Sequence, residues 1–465
     1  TQSGAFPIFE GVDVSWYRNC KYAVDAFIID CEEDFFGYYD YNTERGLVQY
    51  ANHFVVPGKK RFTWGTSEDG RFWTPILSDK GMPYIELQSG RFRTQGIVEF
   101  IEPQFSEEWS ERWYPIAKIG GISFANGDAA IYVDLRGETS ETFVGIYATR
   151  DIPGSRIRFR DGDGVTEEVF DLSPMRPFTK SYASKGKRVE VEVLDKDGGE
   201  VVKWDCGDYR TKLDESVFMV PKEIDPKEEV GPEGIEGLWV DAMLEDKRGE
   251  RLIAELKYKR LLELDWNLTS GICALAVLYF RQGRYGEAIE LLERAVKVRP
   301  DNEDAQYFLG LCHLKTGRFC DSEMALWKAR RSRKYFAPAS YLLSLIKIRN
   351  KEYGEAEKIV AEGLDGKGGD LKGLFIRSVA LRRSGRSKEA LEVVEYALGI
   401  SPLHYQMLCE RVFCSKGRNE FYGAEVELKR VVLTDGQKVL AVAMGYMDAG
   451  LFDEAEEILR RGIEA

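Results

Sequence analysis

The chain has 465 residues, 44% of them hydrophobic, which is enough to bury several cores and predicts two to four domains. Its 65 basic and 78 acidic residues give a formal net charge of −13, which argues against nucleic acid as a partner. The longest apolar run, at 271–280, is too short to span a bilayer, and no leader precedes Thr1, so no membrane association is predicted.

The first region, residues 1–138, alternates apolar and polar side chains in short runs separated by Gly, Asp and Asn. This pattern predicts antiparallel strands. Between Asn52 and Tyr114 the region gathers aromatic, cationic and carboxylate residues. A sugar site needs a ring face for the C–H side of the sugar and charged or amide groups for its hydroxyls. The composition of this region therefore favours carbohydrate recognition.

Five motifs in this region, taken together, are specific. They are DVSWYRN at 13–19, DFFGYYD at 34–40, PGKKRFTWG at 57–65, PYIEL at 83–87 and RWYP at 112–115. Through them the chain resembles a domain-of-unknown-function family of bacterial and archaeal proteins that join a galactose-mutarotase-like β-supersandwich to tetratricopeptide repeats. The resemblance implies a carbohydrate-binding fold shared by aldose epimerases and several glycoside hydrolases and lyases.

The resemblance also implies a catalytic residue. Ile85-Glu86-Leu87-Gln88 is similar to a late strand of mutarotases in which a Glu, followed two residues on by Gln, supplies the catalytic base. Glu86 is therefore the predicted catalytic residue. The predicted substrate-binding residues around it are His53, Lys60, Trp64, Arg71, Trp73, Gln88 and Trp113. An alternative stays open, in which Glu86 is a buried structural acid paired with Arg71 or Lys60.

The chain departs from this family at its beginning. Family members usually carry a further long β segment, with a His-rich motif, before the position of Thr1. The resemblance therefore implies that the supersandwich lacks its N-terminal half. Another chain or a longer form of this one could supply that half, or catalysis could be lost.

The next two stretches connect the β region to the helices. Residues 139–208 predict a small immunoglobulin-like β-sandwich, with hairpin turns at 161–164 and 195–199 where glycines can take positive φ. Residues 209–246 predict a linker, because 221–237 is rich in Pro, Gly and Glu and has no apolar period.

Residues 247–465 predict an α-solenoid of tetratricopeptide repeats. Small residues recur every 34 positions, at Ala288, Ser322, Ala356, Ala390 and Ala424. Twelve positions before four of them stand other small residues, namely Ala276, Gly310, Ser344 and Ser378. This period, with two helices per unit, is typical of tetratricopeptide repeats. About six repeats are expected, the last of them atypical because Ala455 follows Ala424 by only 31 residues.

The cysteines and histidines predict no metal and no cofactor. Eight cysteines without a CxxC pattern are typical of buried thiols in a reducing compartment, which favours the cytoplasm. His404, Cys409 and Cys414 are separated by steps of five residues, which rotate around a helix instead of sharing one face.

Two functions from different classes fit these patterns. The first is a carbohydrate-active enzyme, a glycoside hydrolase or an aldose-epimerase-like enzyme with an acid/base carboxylate, whose repeats serve assembly. The alternative is a non-catalytic repeat scaffold or oligomerisation protein with a degenerate sugar-binding sandwich. Both predict a carbohydrate ligand and a protein partner or self-association through the solenoid. The sugar, the linkage and the oligomeric state are not predicted.

Overall fold

The computed structural model describes residues 7–9, 11–28, 31–79, 81–136, 140–184, 188–206, 234–364 and 369–465. The chain divides into two compact units. The first comprises residues 1–98 and 109–223, and the second comprises residues 99–108 and 224–465. Most of the stretch predicted to be a linker lies outside the described residues.

The described part of the first unit is mainly β-structure. Its strands are β1 (Ile8–Phe9), β2 (Val12–Asp13), β3 (Val24–Ile28), β4 (Phe35–Asp40), β5 (Arg45–Tyr50), β6 (Gly58–Thr63), β7 (Ile85–Gly90), β8 (Arg112–Ala117), β9 (Phe124–Ala125), β10 (Ala129–Arg136), β11 (Glu141–Ala148), β12 (Ile152–Asp161), β13 (Gly164–Leu172), β14 (Phe178–Ala183), β15 (Val189–Leu194) and β16 (Glu200–Asp205). One helix, α1 (Glu68–Leu77), lies between β6 and β7.

The first eight strands pair as β1-β2, β3-β6-β7 and β4-β5-β8, all antiparallel. In the β3-β6-β7 sheet, Asp25 faces Phe62 and Phe62 faces Glu86 across the strands. Paired residues in an antiparallel sheet point to the same face, and so do residues two apart on one strand. This register places the side chain of Glu86 beside side chains of β6, and side chains of β3 lie one strand further away on the same face.

The remaining strands form a sandwich of two sheets, β14-β11-β10-β9 and β13-β12-β15-β16. Its core includes Ile131, Ile157 and Trp204. The predicted boundary between residues 138 and 139 is wrong, because it cuts the β10–β11 hairpin, which pairs over its whole length. The predicted turn at 161–164 is confirmed between β12 and β13, and the one at 195–199 between β15 and β16.

The second unit is helical. Its helices are α2 (Ile235–Lys247), α3 (Arg251–Leu264), α4 (Thr269–Arg281), α5 (Tyr285–Val298), α6 (Glu303–Lys315), α7 (Phe319–Ala329), α8 (Phe336–Arg349), α9 (Tyr353–Gly363), α10 (Leu371–Arg383), α11 (Ser387–Ile400), α12 (Tyr405–Ser415), α13 (Phe421–Leu428), α14 (Gly436–Asp448) and α15 (Phe452–Glu464). The predicted linker is wrong at its end, since α2 begins at Ile235, before residue 246.

The small-residue ladder lies where paired helices approach most closely, as predicted. All five ladder residues are buried. The Ser322 hydroxyl donates to the Gly310 carbonyl at 2.7 Å, across the α6–α7 pair. A Cβ on Gly310 would lie 2.7 Å from Leu326 Cγ, so a larger residue there would push the helices apart. The structure thus has β-sandwich-like sheets followed by a helical tetratricopeptide-repeat-like region.

The last helix pair departs from the regular repeat. A π-helical turn, Lys429–Leu433, lies between α13 and α14. Such π-helical turns are rare and occur mostly as single-turn insertions within α-helices. The start of α15 contacts helices of earlier repeats, since the guanidinium of Arg382 lies 3.0 Å from Glu454 and Arg349 lies 5.8 Å from the centre of the Phe452 ring. This departure agrees with the shortened spacing before Ala455.

Candidate functional site

Three of the predicted site residues meet on one face of the β3-β6-β7 sheet, which we call the β7 face and define by Glu86, Gln88, Lys60 and Asp25. Glu86 Oε2 accepts a hydrogen bond from Gln88 Nε2 at 2.5 Å. Lys60 is buried on the neighbouring strand, and its ammonium lies 3.0 Å from Asp25. Asp25, and not Glu86, is therefore the carboxylate that pairs with Lys60.

The Tyr84 hydroxyl is a second hydrogen-bond donor to Glu86, the predicted catalytic residue. A hydrogen bond to Glu86, followed by burial and the charge of that carboxylate, raises the pKa of Tyr84. Glu86 is half-buried and so retains access to solvent. A half-buried carboxylate between an amide and a phenol can accept a proton from, or orient, a bound hydroxyl group.

The two central tryptophans pack against each other. The ring centroids of Trp64 and Trp73 are 5.2 Å apart with an interplanar angle of 18°. Trp64 also meets the ring of Phe62 edge to face, with centroids 5.0 Å apart. Both tryptophans are half-buried, so one face of each ring is used by its partner. Arg71 lies exposed on α1, and none of the described contacts joins it to Glu86.

Trp113 belongs to a separate group, which we call the indole cluster and define by Trp109, Glu111 and Trp113. Glu111 accepts from the Trp109 indole at 2.8 Å and from the Trp113 indole at 3.1 Å. Gln49 lies 3.4 Å from the same carboxylate. Burial would raise the pKa of Glu111, but hydrogen bonds from these side chains and Ser89 outweigh it and hold that pKa below its usual value.

The indole cluster presents aromatic surface to solvent. Trp109 is 47% exposed and Trp113 is 42% exposed. Gln49 also donates to Ser89 at 3.1 Å, and Ser89 follows Gln88 on β7. Because successive strand residues point to opposite faces, the cluster lies on the other side of the sheet from Glu86. The structure therefore separates Trp113 from the predicted catalytic residue.

Sequence reasoning did not select Glu111 or Trp109 as site residues. The spacing of these residues could have identified the group, because Trp109, Glu111 and Trp113 are each two positions apart. In extended chain, residues two apart point the same way. A carboxylate between two such indoles can hold both rings by hydrogen bonds to their N–H groups.

His53 lies apart from both groups. Its Nδ1 is 2.7 Å from Asp34 Oδ1, and its backbone N–H donates to the same oxygen at 2.9 Å. The ring centroid of Phe54, an 84% exposed residue, lies 3.9 Å from that of His53. None of the described contacts joins His53 to the β7 face. The Asp34 contact holds the imidazole in a fixed orientation.

A second site is formed in the helical unit by a stretch of chain that lies between β7 and β8 in sequence. This stretch, Glu99–Glu108, belongs to the helical unit, and we call it the docked segment. The ring of Phe105 meets the rings of Tyr307 and Tyr335 edge to face, at centroid distances of 6.2 Å and 5.7 Å. The Tyr307 hydroxyl donates to the Pro103 carbonyl at 2.5 Å.

Cationic side chains line the same surface. The Arg281 guanidinium lies 4.0 Å from the centre of the Phe100 ring, and Lys247 forms an ion pair with Glu99. Burial raises the pKa of Glu102, and the nearby charges of Lys334 and Arg281 only partly offset it. The docked segment has four glutamates and no basic residue, and the cations beside it, Arg281 and Lys334, also pair with Asp246 and Asp304 of the helical unit.

The contacts come from the first helices of successive repeats. Arg281 ends α4, Tyr307 lies on α6, and Tyr335 directly precedes α8. Tyr307 and Tyr335 stack on each other with centroids 4.3 Å apart. We call the surface formed by Arg281, Tyr307, Lys334 and Tyr335 the first-helix face.

In the part of the chain that the structure describes, no group of three or more His, Cys, Asp or Glu side chains is placed to hold a metal ion. Over the same residues, no helix is both long enough and apolar enough to cross a membrane.

Comparison with solved structures finds similar helical arrays. The crystal structure of YrrB, described as a TPR protein with an unusual peptide-binding site, is 22% identical, covers 39% of this chain and 93% of that one, and has a TM-score of 0.35. MamA is 23% identical, with 36% and 91% covered and a TM-score of 0.34. A tetratricopeptide repeat protein from Parabacteroides merdae is 15% identical, with 51% and 87% covered and a TM-score of 0.35. These likenesses concern the fold alone.

Three family models match separate parts of the chain. Residues 2–116 match a domain of unknown function, DUF5107. Residues 124–204 match the second domain of YphG-like proteins, and residues 273–329 match the tetratricopeptide repeat. The expected combination of a domain of unknown function with tetratricopeptide repeats is confirmed, whereas the galactose-mutarotase-like assignment stays a prediction. The chain is thus similar to DUF5107 and YphG-like domains in its β-structure and to tetratricopeptide repeats in its helices.

Proposed function

We propose that this protein is an interaction scaffold whose helical repeats bind an extended segment of a partner protein. The observation that supports this proposal is the docked segment. Side chains from three successive repeats hold one stretch of main chain and two of its aromatic rings. The tetratricopeptide-repeat match over residues 273–329 supports the same function.

The chemistry of the surface indicates the class of partner. In four successive repeats, the first helix ends at a basic residue. These residues lie 34 positions apart, at Arg281, Lys315, Arg349 and Arg383. Cations at these positions also suit the negative ends of the helix dipoles. Arg281 and Lys334, which lie near Glu102 of the docked segment, favour an acidic peptide, and the stacked Tyr307 and Tyr335 favour one with aromatic side chains. The proposed partner segment is therefore acidic and contains phenylalanine.

The Tyr307 hydroxyl provides a test of this site. In a full-length chain carrying Phe100→Ala and Phe105→Ala, which weakens the docked segment, a labelled peptide of residues 97–110 should bind. Adding Tyr307→Phe removes one hydrogen bond to peptide main chain and should weaken binding about 2- to 10-fold, since such a bond is worth about 0.5–1.5 kcal/mol. Fluorescence anisotropy measures the affinity.

The matched control is Tyr341→Phe, the same change at the equivalent position one repeat later. It should leave the affinity unchanged. Equal losses from both substitutions would mean that the effect is one of general packing, and no binding in any variant would contradict the proposed site.

We also propose that the first unit recognises a carbohydrate, with the indole cluster as its platform. Two exposed indoles are held by one carboxylate, which leaves ring surface open beside a charged group. The expected combination for a sugar is a ring face with polar groups at its edge. A catalytic version of this function would use the β7 face, with Glu86 as acid or base and Lys60 and Gln88 orienting hydroxyls.

Replacing Trp113 with alanine should abolish binding of any oligosaccharide that the wild-type chain binds in a glycan screen, because the exposed ring face is lost. Isothermal titration calorimetry provides the measurement, because its signal does not depend on the ring that the substitution removes. The control is Trp73→Phe, which keeps an aromatic ring stacked on Trp64 and should bind as the wild type does. Unchanged sugar binding by the Trp113 variant would rule out the platform.

A further inference from the structure

The docked segment makes, within one chain, the contacts that a bound peptide would make. Its two phenylalanines are five positions apart, and each meets a side chain of the first-helix face. Tyr307 and Tyr335 are fully buried, and Phe105 is one of the residues that cover them. Near its end, the Glu108 carboxylate lies so close to Gly369 that a Cβ there would collide with it. The segment therefore occupies the surface from α4 to the start of α10.

The connection that carries the segment is long. It runs from Gly90, at the end of β7, to Arg112, at the start of β8. Connections longer than about 12–15 residues without secondary structure of their own are uncommon in compact domains and are usually either functional segments or linkers. A segment tethered at both ends is present at a high effective concentration next to its site.

We propose that Glu99–Glu108 is an internal ligand that keeps the first-helix face closed, and that an acidic partner segment with two phenylalanines binds by displacing it. This inference rests on the proposed scaffold function. It adds that the chain on its own is in a closed state, and that access of a partner is governed by competition with its own segment.

Several features make the docked segment displaceable. Its main chain is held by a tyrosine hydroxyl at Pro103, which is a side-chain contact and not a strand pairing. Gln104 has a φ of +66°, a left-handed conformation that is strained for a residue other than glycine. The ionic contact of Glu99 is partly open to solvent, with 42% of its side chain exposed. Such contacts weaken as salt concentration rises.

The expected size of the effect follows from tethering. A flexible tether gives an effective concentration on the order of 1 mM, and a peptide with a Kd of about 10 µM would then be excluded about 100-fold. Wild-type chain should therefore bind the labelled peptide of residues 97–110 about 100-fold more weakly than the chain with Phe100→Ala and Phe105→Ala. Fluorescence anisotropy compares the two full-length proteins.

The control replaces two exposed phenylalanines of the first unit, as Phe54→Ala with Phe72→Ala. This variant should bind the peptide as weakly as the wild type does. Circular dichroism checks that the helices of each variant are intact. A second measurement needs no variant. Excess unlabelled peptide added to the wild-type chain should speed amide hydrogen exchange within residues 99–108, because the displaced segment loses its protection from exchange.

The outcomes separate the two proposals. Binding by the segment variant with about 100-fold weaker binding by the wild type supports both. Equal binding by the two proteins overturns the closed state and leaves the scaffold function standing. Absence of binding by a folded segment variant, with unchanged exchange in the wild type, overturns both and makes the segment a structural brace.

Discussion

Replacing Glu410 with alanine is expected to cost about 3–5 kcal/mol of stability in the C-terminal repeats, because it removes the buried carboxylate that pairs with Arg382 and leaves this arginine only Glu454 as an ion-pair partner. Glu410 lies on α12 and is fully buried. Its carboxylate accepts from Arg382 at 2.8 Å and 3.0 Å and from the Tyr446 hydroxyl at 2.7 Å. These contacts join α10, α12 and α14.

The groups that contact Glu410 are largely buried, so water has little access to replace its carboxylate. Arg382 also reaches Glu454 on α15, and Tyr446 is buried between Phe375 and Phe413. Burial lowers the pKa of Arg382, but the charge of Glu410 more than offsets that, so the guanidinium stays charged. Removing Glu410 therefore leaves a largely desolvated cation with Glu454 as its remaining carboxylate partner, which costs more than the pair contributes.

The measurement is urea unfolding followed by circular dichroism, with amide hydrogen exchange on α10–α15. Exchange is needed because repeat arrays open locally and a single global free energy does not describe them. The control is Glu389→Ala, which removes an exposed carboxylate 2.5 Å from Arg386 and should change little. Equal destabilisation by the two changes would contradict the assigned role of the network.

Replacing Glu86 with glutamine should lower the turnover of any sugar that the wild-type chain converts by about 10²–10⁴-fold, the usual contribution of a general acid or base. Binding of that sugar should persist. The amide has nearly the shape of the carboxylate and can still pair with Gln88. Sugar turnover is followed by NMR of anomeric exchange and by assay of released reducing ends.

The matched control is Glu111→Gln, on the opposite face of the sheet. It should alter sugar binding through the two indoles that its carboxylate holds, with no specific loss of the chemical step. An unchanged rate of sugar turnover in the Glu86 variant would mean that Glu86 is not the catalytic residue. A wild-type chain that binds a sugar without converting it would favour the non-catalytic alternative.

The candidate site was predicted in part. Glu86 and Gln88 could be placed together because residues two apart on a strand share a face, and the structure brings Lys60 to them through the β6–β7 register. The pairing of Lys60 with Asp25 was not predicted, since it depends on which strand lies beside β6. Trp113 was grouped with Glu86 by nearness in sequence, but strand alternation puts it on the other side.

The helical repeats and the β-hairpin turns could be predicted from the amino-acid sequence. A 34-residue period and paired Gly and Asp residues act through local geometry, so they can be recognised before any packing is known. The position of the docked segment, in contrast, could not be predicted. Tyr307 and Pro103 are 204 residues apart, and no local pattern specifies such a contact. It depends on the shape and charge that the packed helices present together, and these exist only once the chain has folded.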